Sequence, residues 1–315
     1  MNKYSLWRIY LMLLVTAWSL VACGETTSEQ QPLPDGVAQY ILTQEPGAPV
    51  YYNDVATDGM NWINYRRAQI GLPILTPNSQ LGSAAQGHSN YLKTNNTITL
   101  YQTTGNPGFT GVTPLNRLAA VGYVFGDADY AYGELNFKSS STGFRIAEEL
   151  ITSIYTRFVI FEPCFKEIGT GSSSTSNGDN YFTSDLTANN GYGGGIGTGR
   201  IVTWPYSGQT GVPVNFFSDS GTPDPVPNMN EVGYPISVHA DINVRLNVFS
   251  FTVCPRGGAA LAARLLSTAT NQETPQSAAA IIPLAPLKSV TTYDVTFAGT
   301  TDGSSIMRSW SFTTR

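Results

Sequence analysis

Leu81, Ala84, Ala85, His88 and Leu92 recur at the i, i+3, i+4, i+7 spacing of an amphipathic helix, which puts His88 on the apolar stripe. The same periodicity predicts helices over residues 58–70, 79–93, 114–121 and 142–155. Ser79 reads as the N-cap of the second, and Gly71 with Pro73 beyond it stops the first. Pro114 in the first turn and Gly122 past the end bound the third. Between them, residues 130–137, 167–171 and 181–185 read as short strands.

Past residue 200 the period changes from helical to alternating. Ile236, Val238 and Ala240 alternate with Ser237, His239 and Asp241. Phe249, Phe251 and Val253 alternate with Ser250, Thr252 and Cys254, which predicts Cys254 on the outward face and His239 solvated. Tyr293, Val295 and Phe297 continue the pattern, and Arg308-Ser309-Trp310-Ser311-Phe312 forms a last strand. Short alternating runs between Gly and Pro turns indicate a β-sandwich of about 100 residues. Residues 189–199 (NNGYGGGIGTG) form a glycine-rich break. No helical pattern follows to offer an N-terminus to a phosphate, so the segment reads as a linker or wide turn.

The first 22 residues read as an address: Lys3 and Arg8, then an apolar run over 9–20, then Leu20-Val21-Ala22-Cys23. That ending is similar to the bacterial lipobox, in which the chain is cut before the cysteine and its thiol is lipidated. An ordinary cleavage after Ala22 and an uncleaved anchor are the alternatives. With Cys23 lipidated, residues 23–49 become a flexible tether and the expected location is extracytoplasmic. In a two-membrane cell Gly24 after the cysteine favours the outer membrane. The chain carries 17 Lys and Arg against 22 Asp and Glu, a net charge of −5, with no basic cluster, which excludes a nucleic-acid partner. Only 12 % of residues are charged, and there are 31 Gly and 19 Pro, as in loop-rich exported proteins. The cysteines left over, Cys164 and Cys254, are expected to form one disulfide joining two domains, a loop closure of the order of 4 kcal/mol. Two unpaired thiols are the competing picture.

Several motifs in order resemble the bacterial branch of the CAP superfamily of cysteine-rich secretory, antigen 5 and pathogenesis-related 1 proteins. They are Asn64, Arg67 and Gly71-Leu72-Pro73; Leu81, Ala84-Ala85 and His88-Ser89; Thr113-Pro114, Arg117 and Ala120-Val121-Gly122-Tyr123; Gly133-Glu134; Arg157, Pro163, Phe165 and the Glu-Ile-Gly-Thr-Gly of 167–171; and Tyr181-Phe182-Thr183. The resemblance covers about 50–186 and implies an α-β-α sandwich. The run 204–213 (WPYSGQTGVP) and the closing hairpin resemble a bacterial Ig-like module. The expected fold class is α+β: a CAP sandwich over 50–198 followed by an all-β Ig-like sandwich over 199–315.

The resemblance implies a cavity holding two histidines and acidic groups, with a divalent metal in some members. His88 and Glu134 fill two of those positions. Thr156 stands where the second histidine precedes the matched Arg157, and Ser153 stands at the second acidic position. His88, Glu134, Ser153 and Thr156 are thus the candidate cavity residues of a half-dismantled cluster. His88 and Glu134 alone fall short of the three or four protein ligands of a zinc site, so no metal and no cofactor is expected. Two readings of His88 stand: a core histidine hydrogen-bonded to Glu134, or a ligand or catalytic group. No Gly-x-Ser-x-Gly elbow supports a Ser-His-Asp triad, and no catalytic residue is assigned. The favoured function is a non-enzymatic, surface-anchored CAP lipoprotein whose cleft takes an apolar or lipidic ligand or a surface protein. A structural envelope or adhesion protein is the alternative, and a hydrolase or metal-dependent activity the second alternative.

Overall fold

The computed structural model describes residues 45–220 and 223–315; the leader, Cys23 and most of the tether lie outside the described residues. Helix α1 (Val55–Gln69) starts where the Asp54 carboxylate accepts the Thr57 N–H at 2.7 Å, a cap worth about 1 kcal/mol. Helix α2 (Ser79–Asn95) is capped by Asn78 rather than the expected Ser79: the Asn78 side-chain oxygen accepts from the N–H groups of Gln80 and Leu81. Helix α3 (Pro114–Ala120) opens on a reciprocal Thr113–Asn116 capping box. The single helix expected over 142–155 is two, α4 (Gly143–Thr152) and α5 (Ile154–Ile160), broken where Ser153 takes an extended backbone.

Four strands, β1 (Thr76–Pro77), β2 (Ala131–Ser139), β3 (Glu167–Ser174) and β4 (Asn180–Ala188), form one sheet in the order β1-β3-β4-β2. It is antiparallel except for the two-residue pairing of β1 with β3. The layering follows from three residues of β3, because successive side chains point to opposite faces. A Cβ on Gly169 or Gly171 would strike the backbone of α2 near Gly82 and Gln86, so these glycines let α2 lie directly on the sheet. Thr170 between them donates to Ala56 O of α1 at 2.9 Å on the other face, and α4 packs on α1. The result is an α-β-α sandwich. With both faces covered, β4 is buried from Tyr181 to Ala188.

The remaining strands are all antiparallel: β5 (Val202–Trp204), β6 (Asn215–Phe217), β7 (Glu231–Gly233), β8 (Ile236–His239), β9 (Leu246–Pro255), β10 (Ala263–Leu266), β11 (Ala278–Pro283), β12 (Thr292–Thr301) and β13 (Ser304–Thr313). They make a four-stranded sheet β10-β11-β8-β5, a three-stranded sheet β13-β12-β9 and the pair β6-β7. Tyr293, Val295, Phe297, Trp310 and Phe312 point inward as the alternation predicts. Phe249 does not. A register break opposite Ala298/Gly299 leaves it without a partner on β12, and it is 71 % exposed, while Phe251 and Val253 resume the pairing.

One continuous apolar core runs from Trp62 and Phe144 in the helical part to Trp310 and Phe312 in the β part. The seam between the parts overturns one expectation. His239 is buried, not solvated, because the polar face of β8 is covered by α5. The Phe158 and Phe161 rings meet its imidazole edge-on at 5.8 and 5.6 Å. Arg157 donates to Pro235 O at 2.7 Å and to Ser237 Oγ at 3.3 Å, and the Ser237 hydroxyl is in turn hydrogen-bonded to His239 Nε2, 2.9 Å away. Burial, and then the charges of Arg157 and Arg67, push His239 down to about 3. Nearby, Tyr155 Oη accepts from Asn271, and Arg66 lies over the rings of Trp62 and Trp204.

The glycine-rich segment is a strap across this seam. Ile196 and Gly197 donate their N–H groups to the Asp241 carboxylate at 2.7 and 3.0 Å. Gly195, at φ +58°, has that carboxylate where a Cβ would stand. Cys164 lies beneath, its carbonyl accepting from Gly193 N, and burial followed by the nearby Glu162 raises its thiol to about 12. Cys254 sits on β9, in the other sheet, with its thiol donating to Asp294 O. Both cysteines are free, so the expected bridge does not form; the seam is fixed by hydrogen bonds and packing instead.

Glu162 is buried at the seam, accepting the Cys164 N–H at 3.0 Å and facing Ser277, Arg67 and Asp241. Burial pushes its carboxyl up to about 8. The folded pKa is raised above the unfolded one, so its contribution to stability is complete below about 4.5 and is lost as pH rises to about 8. His239 has the opposite sign: its contribution is complete above about 6.5 and fades as pH falls toward about 3. Between pH 6.5 and 8 wild type should therefore lose stability relative to Glu162→Gln by up to about 1.4 kcal/mol per pH unit. Denaturant unfolding of both proteins across that window measures it, and parallel curves would show that Glu162 is not protonated in the fold.

Candidate functional site

His88 reaches the core because α2 presents it on the stripe that faces the sheet, beside Ser89, whose hydroxyl donates to Gly171 O of β3 at 3.0 Å. The imidazole is 0 % exposed. Nε2 lies 2.8 Å from Thr99 O, and a carbonyl can only accept, so the proton is on Nε2. That leaves the Nδ1 lone pair to accept from Gln102 Nε2 at 2.9 Å. Burial lowers the His88 pKa, with the charge of Glu134 acting against it, and the ring is neutral. Tyr91 stacks parallel to it at 6.1 Å.

Glu134, on β2, stands 3.3 Å from His88 Nε2. Its firmer partner is Arg117 of α3, whose Nη2 donates to Oε2 at 2.5 Å, while Asn136 donates to Oε1 at 2.9 Å. Burial opposes its charge, but attraction to the Arg117 guanidinium and these hydrogen bonds prevail and hold its pKa low. Arg117 also donates to Gly111 O and Leu100 O, tying the loop between α2 and α3 over the network. Gln102 clasps the same loop by accepting the N–H groups of Thr110 and Gly111.

Asp185 of β4 lies directly across the ladder from Glu134. Burial first, and then the Glu134 charge, raise its pKa well above the usual carboxylate value, which favours its neutral form beside Glu134, and its buried Oδ2 has no hydrogen-bond partner. The four ionisable groups thus resolve into one ion pair, Arg117–Glu134, flanked by a neutral histidine and a neutral acid.

Of the expected cavity residues, the structure brings together His88 and Glu134 and leaves out Ser153 and Thr156. Thr156 Oγ1 donates to Leu150 O and Ser153 O, and both residues serve the α4–α5 break. Gln102, Arg117 and Asp185 complete the network without having been marked as site residues in the sequence. A lone acid in the otherwise uncharged strand 181–188 was the available signal for Asp185.

A divalent metal does not fit these residues. The one imidazole lone pair is engaged by Gln102, the Glu134 oxygens are taken by Arg117 and Asn136, and Asp185 holds its proton. Among the described residues no group of three or more His, Cys, Asp and Glu is placed to hold a metal ion. General-base chemistry is equally closed off, since no face of His88 meets solvent.

Comparison with known proteins bears on this part of the chain. No curated protein matches the sequence. Among solved structures, an extracellular protein of Bacillus anthracis containing an SCP domain is 22 % identical over 44 % of this chain and 44 % of that one, with a TM-score of 0.35. The match therefore spans less than half of that protein. An outer surface protein of Borrelia burgdorferi is 17 % identical over 41 % of this chain and 89 % of its own, also at 0.35. Venom allergen-like protein 4 of Schistosoma mansoni is 12 % identical over 44 % of this chain and 90 % of its own, at 0.29. The segment that builds α2, the sheet and the His88 network, residues 60–186, matches the CAP family, described as the Cysteine-rich secretory protein family.

Proposed function

We propose that this chain is a non-enzymatic, surface-anchored CAP-domain lipoprotein: a rigid body of a CAP domain (50–198) and an Ig-like sandwich (199–315), held outside a bacterial membrane by a lipid on Cys23. It acts by binding through its open surface rather than through the His88 network. One observation carries this reading: both ring nitrogens of His88 and both oxygens of Glu134 are engaged by the protein itself, and the imidazole has no exposed atom. A hydrolase needs a base that substrate can reach, and a metal site needs vacant donors. The structural alternative draws on the same sealed network and differs only in lacking a binding face.

His88→Ala should therefore behave as a core mutation. It removes one hydrogen-bond partner each from the Gln102 amide and the Thr99 carbonyl and opens a cavity, costing about 2–4 kcal/mol of stability. Zinc calorimetry on the wild type should show no stoichiometric uptake. A sub-micromolar zinc site, or an ester or peptide hydrolysis, that disappears in His88→Ala would overturn the reading.

The anchor is tested separately. Wild type should fractionate with membranes and carry diacylglyceryl mass on an N-terminal Cys23, whereas Cys23→Ser should appear in the soluble fraction or stall as the precursor. An unmodified cysteine in the membrane-bound wild type would rule the lipid out.

A further inference from the structure

Away from the His88 network, an open pocket of about 510 Å³ lies at the end of the CAP sheet where β1 and β3 begin. Its walls come from the first turn of α2, the exit of α3 and the turn after β4, and it lies within the usual 300–1,000 Å³ of ligand sites. No residue of the His88 network lines it.

The pocket's chemistry is polar and balanced. Lys166 and Glu167 bring one charge of each sign. Gln80 donates to Val121 O and has its amide oxygen left for the pocket. Lys166 is held on Asn189 O with donor capacity remaining. Asn190 sits in the left-handed region at φ +54°, and its side-chain amide lies where a Cβ on Gly126 would be, so that glycine makes room for it.

The floor is fixed in advance. Glu167 accepts from Tyr123 Oη at 2.5 Å and from Asn78 at 2.8 Å, and the Asn189 amide is pinned to Gly126 N and Val124 O. Beside this floor runs a ladder of rings: Tyr123 meets Phe125 edge-on at 5.4 Å, and Phe125 stacks on Tyr130 at 4.4 Å. Val124, 73 % exposed, stands on the rim.

Each feature excludes a ligand class. Side-chain amides and a lysine–glutamate pair make poor walls for a fatty acid or sterol, whose chains need an apolar lining. Glu167 repels a phosphate or carboxylate placed beside Lys166. A neutral molecule rich in hydroxyls suits all of them, since each hydroxyl both donates and accepts, as paired amides require.

We infer that this pocket is a glycan-binding site, in which a neutral sugar unit bonds to Gln80, Lys166 and Asn190. The inference gives the surface-binding reading a ligand class and rests on that reading only in taking the His88 network as sealed.

The test uses the full lipidated chain in detergent, titrated calorimetrically with three neutral tetrasaccharides: the β-1,4 polymers of glucose and of N-acetylglucosamine, and an α-linked mannose polymer. At least one should bind saturably, and Gln80→Ala and Asn190→Ala should each weaken it about tenfold, the loss of one well-placed hydrogen bond. Asn247→Ala, on β9, should leave binding unchanged. Gln80 is half-buried and tied to Val121 O, and Ala at Asn190 must take a left-handed backbone, so thermal melts of both variants are recorded and binding is compared at a temperature where all three proteins are folded. No saturable binding by any of the three, or binding equal in wild type and both pocket variants, would overturn the glycan site while leaving the sealed His88 network standing. Cleavage of a bound tetrasaccharide would overturn the non-enzymatic reading and not the site.

Discussion

The guanidinium of Arg157 must stay charged and must not stay dry, and the seam is built around those two demands. Burial lowers its pKa only to about 10, so it remains a cation. It lies over the Tyr234 ring and donates to Ile151 O and Thr152 O behind it and to Pro235 O and Ser237 Oγ in front. Two of these partners close the end of α4, and the other two belong to the β part. Removing either of those acceptors while the seam stays closed would leave a buried cation short of partners, a larger penalty than the loss of ordinary apolar contact. After burial itself, the charge of the same group also helps keep His239 neutral.

The His88 network obeys a related rule at smaller scale. In a site from which water is excluded, carboxylates on adjacent strands cannot both be charged beside a single arginine. Glu134 takes the charge because Arg117 and Asn136 point at it; Asp185 keeps its proton. The arrangement rigidifies the loop over α2 and α3 and leaves the imidazole no role that requires exposure.

Much of this was legible from residue order, and the failures have identifiable causes. Helical spacing placed His88 on the buried stripe, and its neighbour Glu134 was named with it. Gln102 lies in a loop with no period to reveal it, and Asp185 lies in a strand covered on both faces, where alternation carries no signal. For His239 alternation identified the polar side of β8 correctly. It could not say that α5 would cover that side, because alternation reports only which way a side chain leaves its own sheet. Phe249 fails for a local reason: one unpaired residue resets the period. The free cysteines fail because chain position says nothing about which sheet a strand joins.

The core shared across the seam also sets an order of assembly. A chain that emerges from its N-terminus delivers α5 well before β8. Until β5 and β8 arrive, Phe158 and Phe161 have no cover, and Arg157 lacks half its hydrogen bonds. Contacts of such long sequence separation form slowly, because the intervening loop must close before they stabilise anything. The partly emerged chain is thus an aggregation-prone species. The helical part is therefore left without its cover until residues near 240 have followed it.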